Sequence, residues 1–162
     1  MRRQLLLLAA AITIGNAHPA FADPCSGLHL KVENGGQDAR NGRLTFGYTI
    51  RNIGPDTCTL GGHPTIELLD TKGVQLASVD IDEAPPTEGA GKEPLDLEPG
   101  DEAHFTLQFE APKSAEGSDC AGAVELRATL PGTDMPATFA GSFSACGTVT
   151  VSPIAPGASP LR

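Results

Sequence analysis

The sequence predicts an all-β chain, folded as an antiparallel β-sandwich of about seven or eight strands. Three observations predict it. Apolar residues recur with period two through most of the chain, and no long segment keeps a helical period. Clusters of Gly, Pro, Asn and Asp interrupt those segments at short intervals. Four cysteines, Cys25, Cys58, Cys120 and Cys146, lie far apart behind an apolar leader, which is the pattern of a disulfide framework.

The leader comes first. Arg2 and Arg3 supply a positive start, and residues 5–14 form an apolar run too short to span a bilayer as a helix. Ala20-Phe21-Ala22 then gives the small-x-small pattern that signal peptidase reads. Residues 1–22 are therefore read as a secretory signal peptide cleaved after Ala22, placing the protein in the periplasm or outside the cell. Arg2-Arg3 lacks the rest of a twin-arginine signal, so the general secretory route is favoured. Cys25 follows Asp23-Pro24, whereas lipoprotein processing needs a small residue directly before the cysteine, so lipidation is not expected. Nothing further along the chain is long and apolar enough to cross a membrane.

The strands follow in order. Leu28, Leu30 and Val32 alternate with His29, Lys31 and Glu33, and Leu44, Phe46, Tyr48 and Ile50 alternate with Thr45, Gly47, Thr49 and Arg51. Ala103, Phe105, Leu107 and Phe109 repeat the pattern. So do Val124, Leu126, Ala128 and Leu130, and finally Val149 and Val151. Each set places an apolar row on a core face and a polar row in water. Weaker strands are expected at residues 65–70, 74–79 and 137–143. Asn41-Gly42, Asn52-Ile53-Gly54-Pro55, the segment 70–73, Pro99-Gly100 and Pro131-Gly132 supply turn chemistry between them. Residues 80–102 are acidic and rich in Pro and Gly, and their middle reads as a mobile surface loop. The domain is set at residues 23–153. Pro153, Pro156 and Pro160 mark residues 154–162 as a flexible C-terminal tail.

Net charge is −9, and loss of Arg2 and Arg3 with the leader takes it two units lower, to −11. That disfavours nucleic acid and anionic membrane surfaces as partners, since both call for a basic patch.

The most distinctive stretch holds Asn52, then Cys58-Thr59-Leu60-Gly61-Gly62-His63-Pro64, then Leu68, Asp70 and Gly73. Leu97-Glu98-Pro99-Gly100 follows, with Ala103, Leu107 and Phe109 at strand spacing. Cys120, Leu130-Pro131-Gly132 and Cys146-Gly147, with Val149, Val151, Ser152 and Pro153, complete the set. In this order the pieces resemble the four-cysteine family of secreted bacterial proteins called domain of unknown function 4232, over residues 25–153. The resemblance implies export or surface attachment and an immunoglobulin-like sandwich. It implies no known activity, so no catalytic residues carry over. The residue between Gly62 and Pro64 is usually aromatic in that family, and here it is His63.

Catalytic chemistry is hard to place on this chain. Gly141-Ser142-Phe143-Ser144 lacks the second glycine of a serine elbow. The acids cluster where no apolar walls would shift their titration, and a framework that uses all four cysteines leaves no thiolate nucleophile. Zinc expects close Cys pairs, but the nearest two are Cys120 and Cys146. Asp80, Asp82, Glu83 and Glu88 lack the glycine and terminal glutamate of a helix-loop-helix calcium site. His29, His63 and His104 remain after the leader, with Met135 as the one methionine, a thin ligand set for a copper carrier. His29 and His104 would converge only on neighbouring strands.

The expectation is a non-catalytic binding or scaffold module of the bacterial envelope, monomeric, without cofactor, serving an unidentified envelope or extracellular partner. A periplasmic metal-handling protein using His29, His63 or His104 is the alternative. Exposed apolar loop tips would favour the first, converging histidines the second, and a deep pocket with buried acids an enzyme.

Four cysteines allow three pairings. Strand parity selects among them if the strands alternate simply. Cys25 opens the first strand and Cys58 follows the second, so both lie at one end. Cys120 and Cys146 are likewise separated by one outward and one returning strand. The pairing expected is Cys25–Cys58 with Cys120–Cys146. Cys25–Cys146 is the rival if the segment around Phe139 is not a strand.

Overall fold

Alternation in the sequence becomes alternation in burial. The computed structural model describes residues 22–110 and 120–161, so the signal-peptide reading of residues 1–21 lies outside the described residues. In the strand Glu102–Glu110, Ala103, Phe105, Leu107 and Phe109 are buried while His104, Thr106 and Gln108 are half-exposed. In chain order the strands are β1 (Leu30–Arg40), β2 (Arg43–Asn52), β3 (Cys58–Leu60), β4 (Thr65–Leu69) and β5 (Ile81–Glu83). After them come β6 (Leu95–Leu97), β7 (Glu102–Glu110), β8 (Ala121–Thr129), β9 (Pro136–Val151) and β10 (Ala155–Pro156). The chain is all-β, and one turn of 3-10 helix at Gly27–His29 precedes β1.

Hydrogen bonding runs β1-β2-β7-β9-β8-β4 through one curled sheet of antiparallel neighbours, and β3 pairs with β6 in a small separate sheet. The length of β9 explains the curl. Its first part, up to Ala145, pairs with β8, and its end, from Cys146 to Val151, pairs with β7. One strand thus joins β8 and β4 to the rest of the sheet across its bend. Aromatic side chains fill the space enclosed. Tyr48 on β2 stacks on Phe105 at 5.0 Å and meets Phe139 of β9 at 4.7 Å, while Phe46 meets Phe143 of β9 at 5.7 Å. The β1–β2 hairpin closes on Asn41-Gly42, both at positive φ (51° and 72°), the backbone a two-residue hairpin turn requires.

Two disulfides staple the fold, Cys25–Cys58 and Cys120–Cys146. Hairpin geometry accounts for both. Leu30 pairs with Asn52, which brings the chain before β1 back beside the chain after β2. Ala121 pairs with Ala145, which sets Cys120 beside Cys146. The first bridge is buried and the second half-buried.

Several expectations change. Residues 74–79 form no strand, because the Asp70 carboxylate accepts from the amides of Lys72 and Val74 and bends the chain back along β4. Residues 137–143 are not a separate strand but the first part of β9. The acidic segment 80–102 contains β5 and β6, and β5 runs parallel to β9, an exception to the antiparallel pattern. Val124 points to solvent, since a register shift between Ala123 and Glu125 reverses the alternation and buries Ala123 instead.

The C-terminal segment also departs from expectation, for residues 154–161 stay on the sheet. Ile154 is fully buried, β10 pairs with β7, and the amide of Ser159 donates to Thr49 Oγ1. Glycine makes the fit. A Cβ on Gly47 would lie 2.0 Å from Ser159 Oγ, and one on Gly35 would lie 2.4 Å from Ser159 Cβ. Those two missing side chains leave the slot the tail occupies.

Tyr48, the single tyrosine in a chain without tryptophan, reports on this core. Burial pushes its hydroxyl up to about 12 from an ordinary 10. The unfolded chain therefore loses its proton first, and stability falls as pH rises from about 10 to about 12, by about 3 kcal/mol in all. Tyrosinate absorbance should stay absent at pH 11 in the folded protein and appear as it unfolds. Ionisation at the ordinary pH without unfolding would mean that Tyr48 is not in the core.

Candidate functional site

The three histidines do not converge. His29 ends the 3-10 turn before β1 and His104 lies on β7, and β2 separates those two strands. His63 lies between β3 and β4. Among the described residues, no group of three His, Cys, Asp or Glu side chains is placed to hold a metal ion.

Two of the rings each fasten a piece of backbone. His104 Nδ1 donates to the carbonyl of Gly157 at 3.0 Å and holds the tail. His63 Nε2 lies 2.8 Å from the carbonyl of Ala84, which can only accept, so Nε2 carries the proton. Nδ1 faces Glu83 Oε2 at 3.6 Å, and the side chain is only 12 % exposed. His63 thus ties β5 to the turn after β3. His63→Ala should cost about 1–3 kcal/mol by leaving that carbonyl without its donor, and His63→Gln should recover part of the loss. Urea midpoints check the ranking, and a His63→Ala protein of unchanged stability would remove this role.

Asn52, at the end of β2, is buried to 1 % exposure and fully used. Its Nδ2 donates to the carbonyls of Asp56 and Leu97, and its Oδ1 accepts from the amide of Gly54, each at 2.9 Å. Its own carbonyl accepts from Gly100. One side chain therefore shapes the turn 53–56 and joins it to β6 and to the Pro99-Gly100 turn. Among the described residues Asn52 is the buried polar side chain, and no acid is buried. A groove of about 550 Å³ beside Asp96 and Asp101 is open to water, and its Arg51 and Glu102 are paired with each other.

At the end of the molecule where β1 begins, the arrangement is different. Ser26 caps the 3-10 turn, its Oγ accepting from the amide of Leu28, and the turn lifts Leu28 out of the strand pattern. Leu28 is 70 % exposed, Ile53 55 % and Met135 48 %. The three belong together. The amide of Ile53 donates to the carbonyl of His29, and a Cβ on Gly27 would meet Met135 Cβ at 3.1 Å, so the turn runs between the two side chains. Beside Gly27 and Met135 opens a small groove of about 160 Å³, lined also by Leu30, Val32, Leu130 and Ala137. The buried Cys25–Cys58 bridge fixes this end to the frame.

A family model described as Domain of unknown function (DUF4232) matches residues 25–155. The chain belongs to this family. The match runs from the first half-cystine to β10, so this DUF4232 domain takes in both bridges, Asn52, His63, Leu28, Ile53 and Met135. No curated protein matches the chain, and no solved structure does.

Within the DUF4232 domain, sequence reasoning found the cysteines and histidines but missed the apolar end. It counted Leu28 in the core row with Leu30 and Val32, whereas the structure turns it into water. The available signal was Ser26, a capping residue at the start of a short turn. Ile53 and Met135 lay within turn segments, where an apolar residue has no core to enter.

Proposed function

We propose that this DUF4232 protein is an exported, non-catalytic binding module of the bacterial envelope that engages its partner through the end carrying Leu28, Ile53 and Met135. One observation carries the reading. Three large apolar side chains from three separate loops stand in water on one end, clustered around a turn that a disulfide anchors. Clustered apolar exposure is unfavourable unless something covers it, and it marks interaction sites. Two disulfides fit an oxidising, extracytoplasmic compartment. The charged start, short apolar run and Ala20-Phe21-Ala22 support export by the secretory route. Several groups capable of chemistry are committed to the frame: the four cysteines to bridges, and His63, His104 and Asn52 to backbone groups.

The test places a photo-cross-linking residue at position 28 in the exporting cell. The control position is 41, at the far tip of the β1–β2 hairpin. A discrete cross-linked species from position 28 and none from 41 is the expected result. Cross-linking from 41 alone, or equally from both, would count against this surface.

A further inference from the structure

The apolar end has a rim of one sign. Asp23, Asp56 and Asp134 are exposed on the three segments that carry or adjoin Leu28, Ile53 and Met135. Those segments, residues 23–29, 53–57 and 130–135, contain no Lys or Arg. The nearest cations along the chain are already engaged, Lys31 with Glu33, Arg51 with Glu102 and Arg127 with Glu125. From this rim, together with the groove beneath Met135, we infer that the partner is a protein presenting an apolar anchor side chain within a basic surface. The inference rests on the binding-module reading above and adds the partner's chemistry to it.

Charge selects that occupant. A second copy of this chain would bring three more aspartates to the same contact, and like charges facing one another oppose association. An anionic bilayer is repelled for the same reason. A basic protein surface instead gains long-range attraction on approach. The groove of about 160 Å³ offers room for one apolar side chain, with Leu30, Val32, Leu130 and Ala137 in its lining. Met135 borders the groove and, as a flexible methionine, adapts to the anchor's shape, while Leu28 and Ile53 lie exposed on the adjoining segments.

The experiment is an NMR titration of the oxidised chain from Asp23 onward. The probes are a synthetic peptide with one leucine or phenylalanine among lysines and arginines, its counterpart with glutamates replacing the basic residues, and phosphatidylglycerol vesicles. Amide shifts are expected at residues 27–29, 53–56 and 133–136 with the basic peptide alone. Leu28→Ser should weaken binding about tenfold, the scale for losing one buried leucine, and added salt should weaken it further by screening. Equal binding of the acidic peptide, preference for vesicles, shifts confined to the groove at Asp96 and Asp101, or no binding at all would each overturn the inference. So would concentration-dependent broadening at the same residues without peptide, which would assign the surface to a second copy. The cross-linking test above does not depend on partner charge. A positive cross-link with a failed titration would therefore reject the basic partner and leave the binding surface standing.

Discussion

Asn52→Ala is expected to destabilise the protein by about 3–5 kcal/mol, because it strips partners from three backbone groups at once. The carbonyls of Asp56 and Leu97 lose a donor and the amide of Gly54 loses an acceptor. At 1 % exposure, water cannot take the place of the side chain without the chain opening. Asn52→Asp separates hydrogen bonding from shape. A carboxylate of the same size still accepts from Gly54 but sets an oxygen against two carbonyl oxygens, so at neutral pH it should be at least as damaging as alanine. Its deficit should shrink in acid, where a protonated carboxyl can donate once. Urea unfolding at two pH values measures this. A mild Asn52→Ala variant, or an Asn52→Asp variant indifferent to pH, would show that the side chain does not hold the turn 53–56. Against a net stability of about 5–15 kcal/mol, the predicted loss leaves the domain marginal. The same substitution should release Ile53, so partner binding falls with stability.

The second large effect concerns the bridges, and it is unequal. Cys25 and Cys58 lie 33 residues apart in sequence, and Cys120 and Cys146 lie 26 apart. In the chain-entropy model, loops of those lengths contribute roughly 3.5 kcal/mol each. Burial separates them. The first bridge packs in the core cluster beside Leu60 and Leu97, whereas the second is half-buried at the open end of the β8–β9 hairpin. Paired replacement of Cys25 and Cys58 by alanine leaves a cavity as well as a longer unfolded loop, so its thermal midpoint should fall further than that of the Cys120 and Cys146 pair. The Cys25–Cys58 bridge also anchors the chain just before Leu28, so its loss should weaken binding even where the protein remains folded. Equal midpoints for the two double variants would contradict the assignment of the first bridge to the core.

The sequence was most legible where one physical rule acted alone. Strand β7 alternates without interruption between Ala103 and Phe109, and the structure buries that row as read. Hairpin parity brings Cys25 beside Cys58 and Cys120 beside Cys146, since it needs only strand direction and not register. Reading failed where a side chain competed with the pattern. Asp70 captured two amides and removed a strand, and a bulge after Ala123 reversed the row containing Val124. The tail was misread because three prolines outweighed Ile154, which the core takes, and because Gly35 and Gly47 open a slot that only the folded sheet reveals. His63 was visible as a departure from the family pattern, but its partner, the carbonyl of Ala84, lies 21 residues away on β5's far side. The apolar end escaped for a similar reason. Leu28, Ile53 and Met135 are distant in sequence, and only the meeting of the open end of the β1–β2 hairpin with the turn of the β8–β9 hairpin brings them together.

Binding at the loop end is separable from folding of the frame beneath it. The most direct measurement pairs a thermal melt with cross-linking from position 29 for a triple variant, Leu28→Ser with Ile53→Ser and Met135→Ser. All three side chains are exposed, so the thermal midpoint should stay close to that of the unaltered protein, while the cross-linked species should disappear. Retention of that species by a triple variant that melts normally would contradict the account.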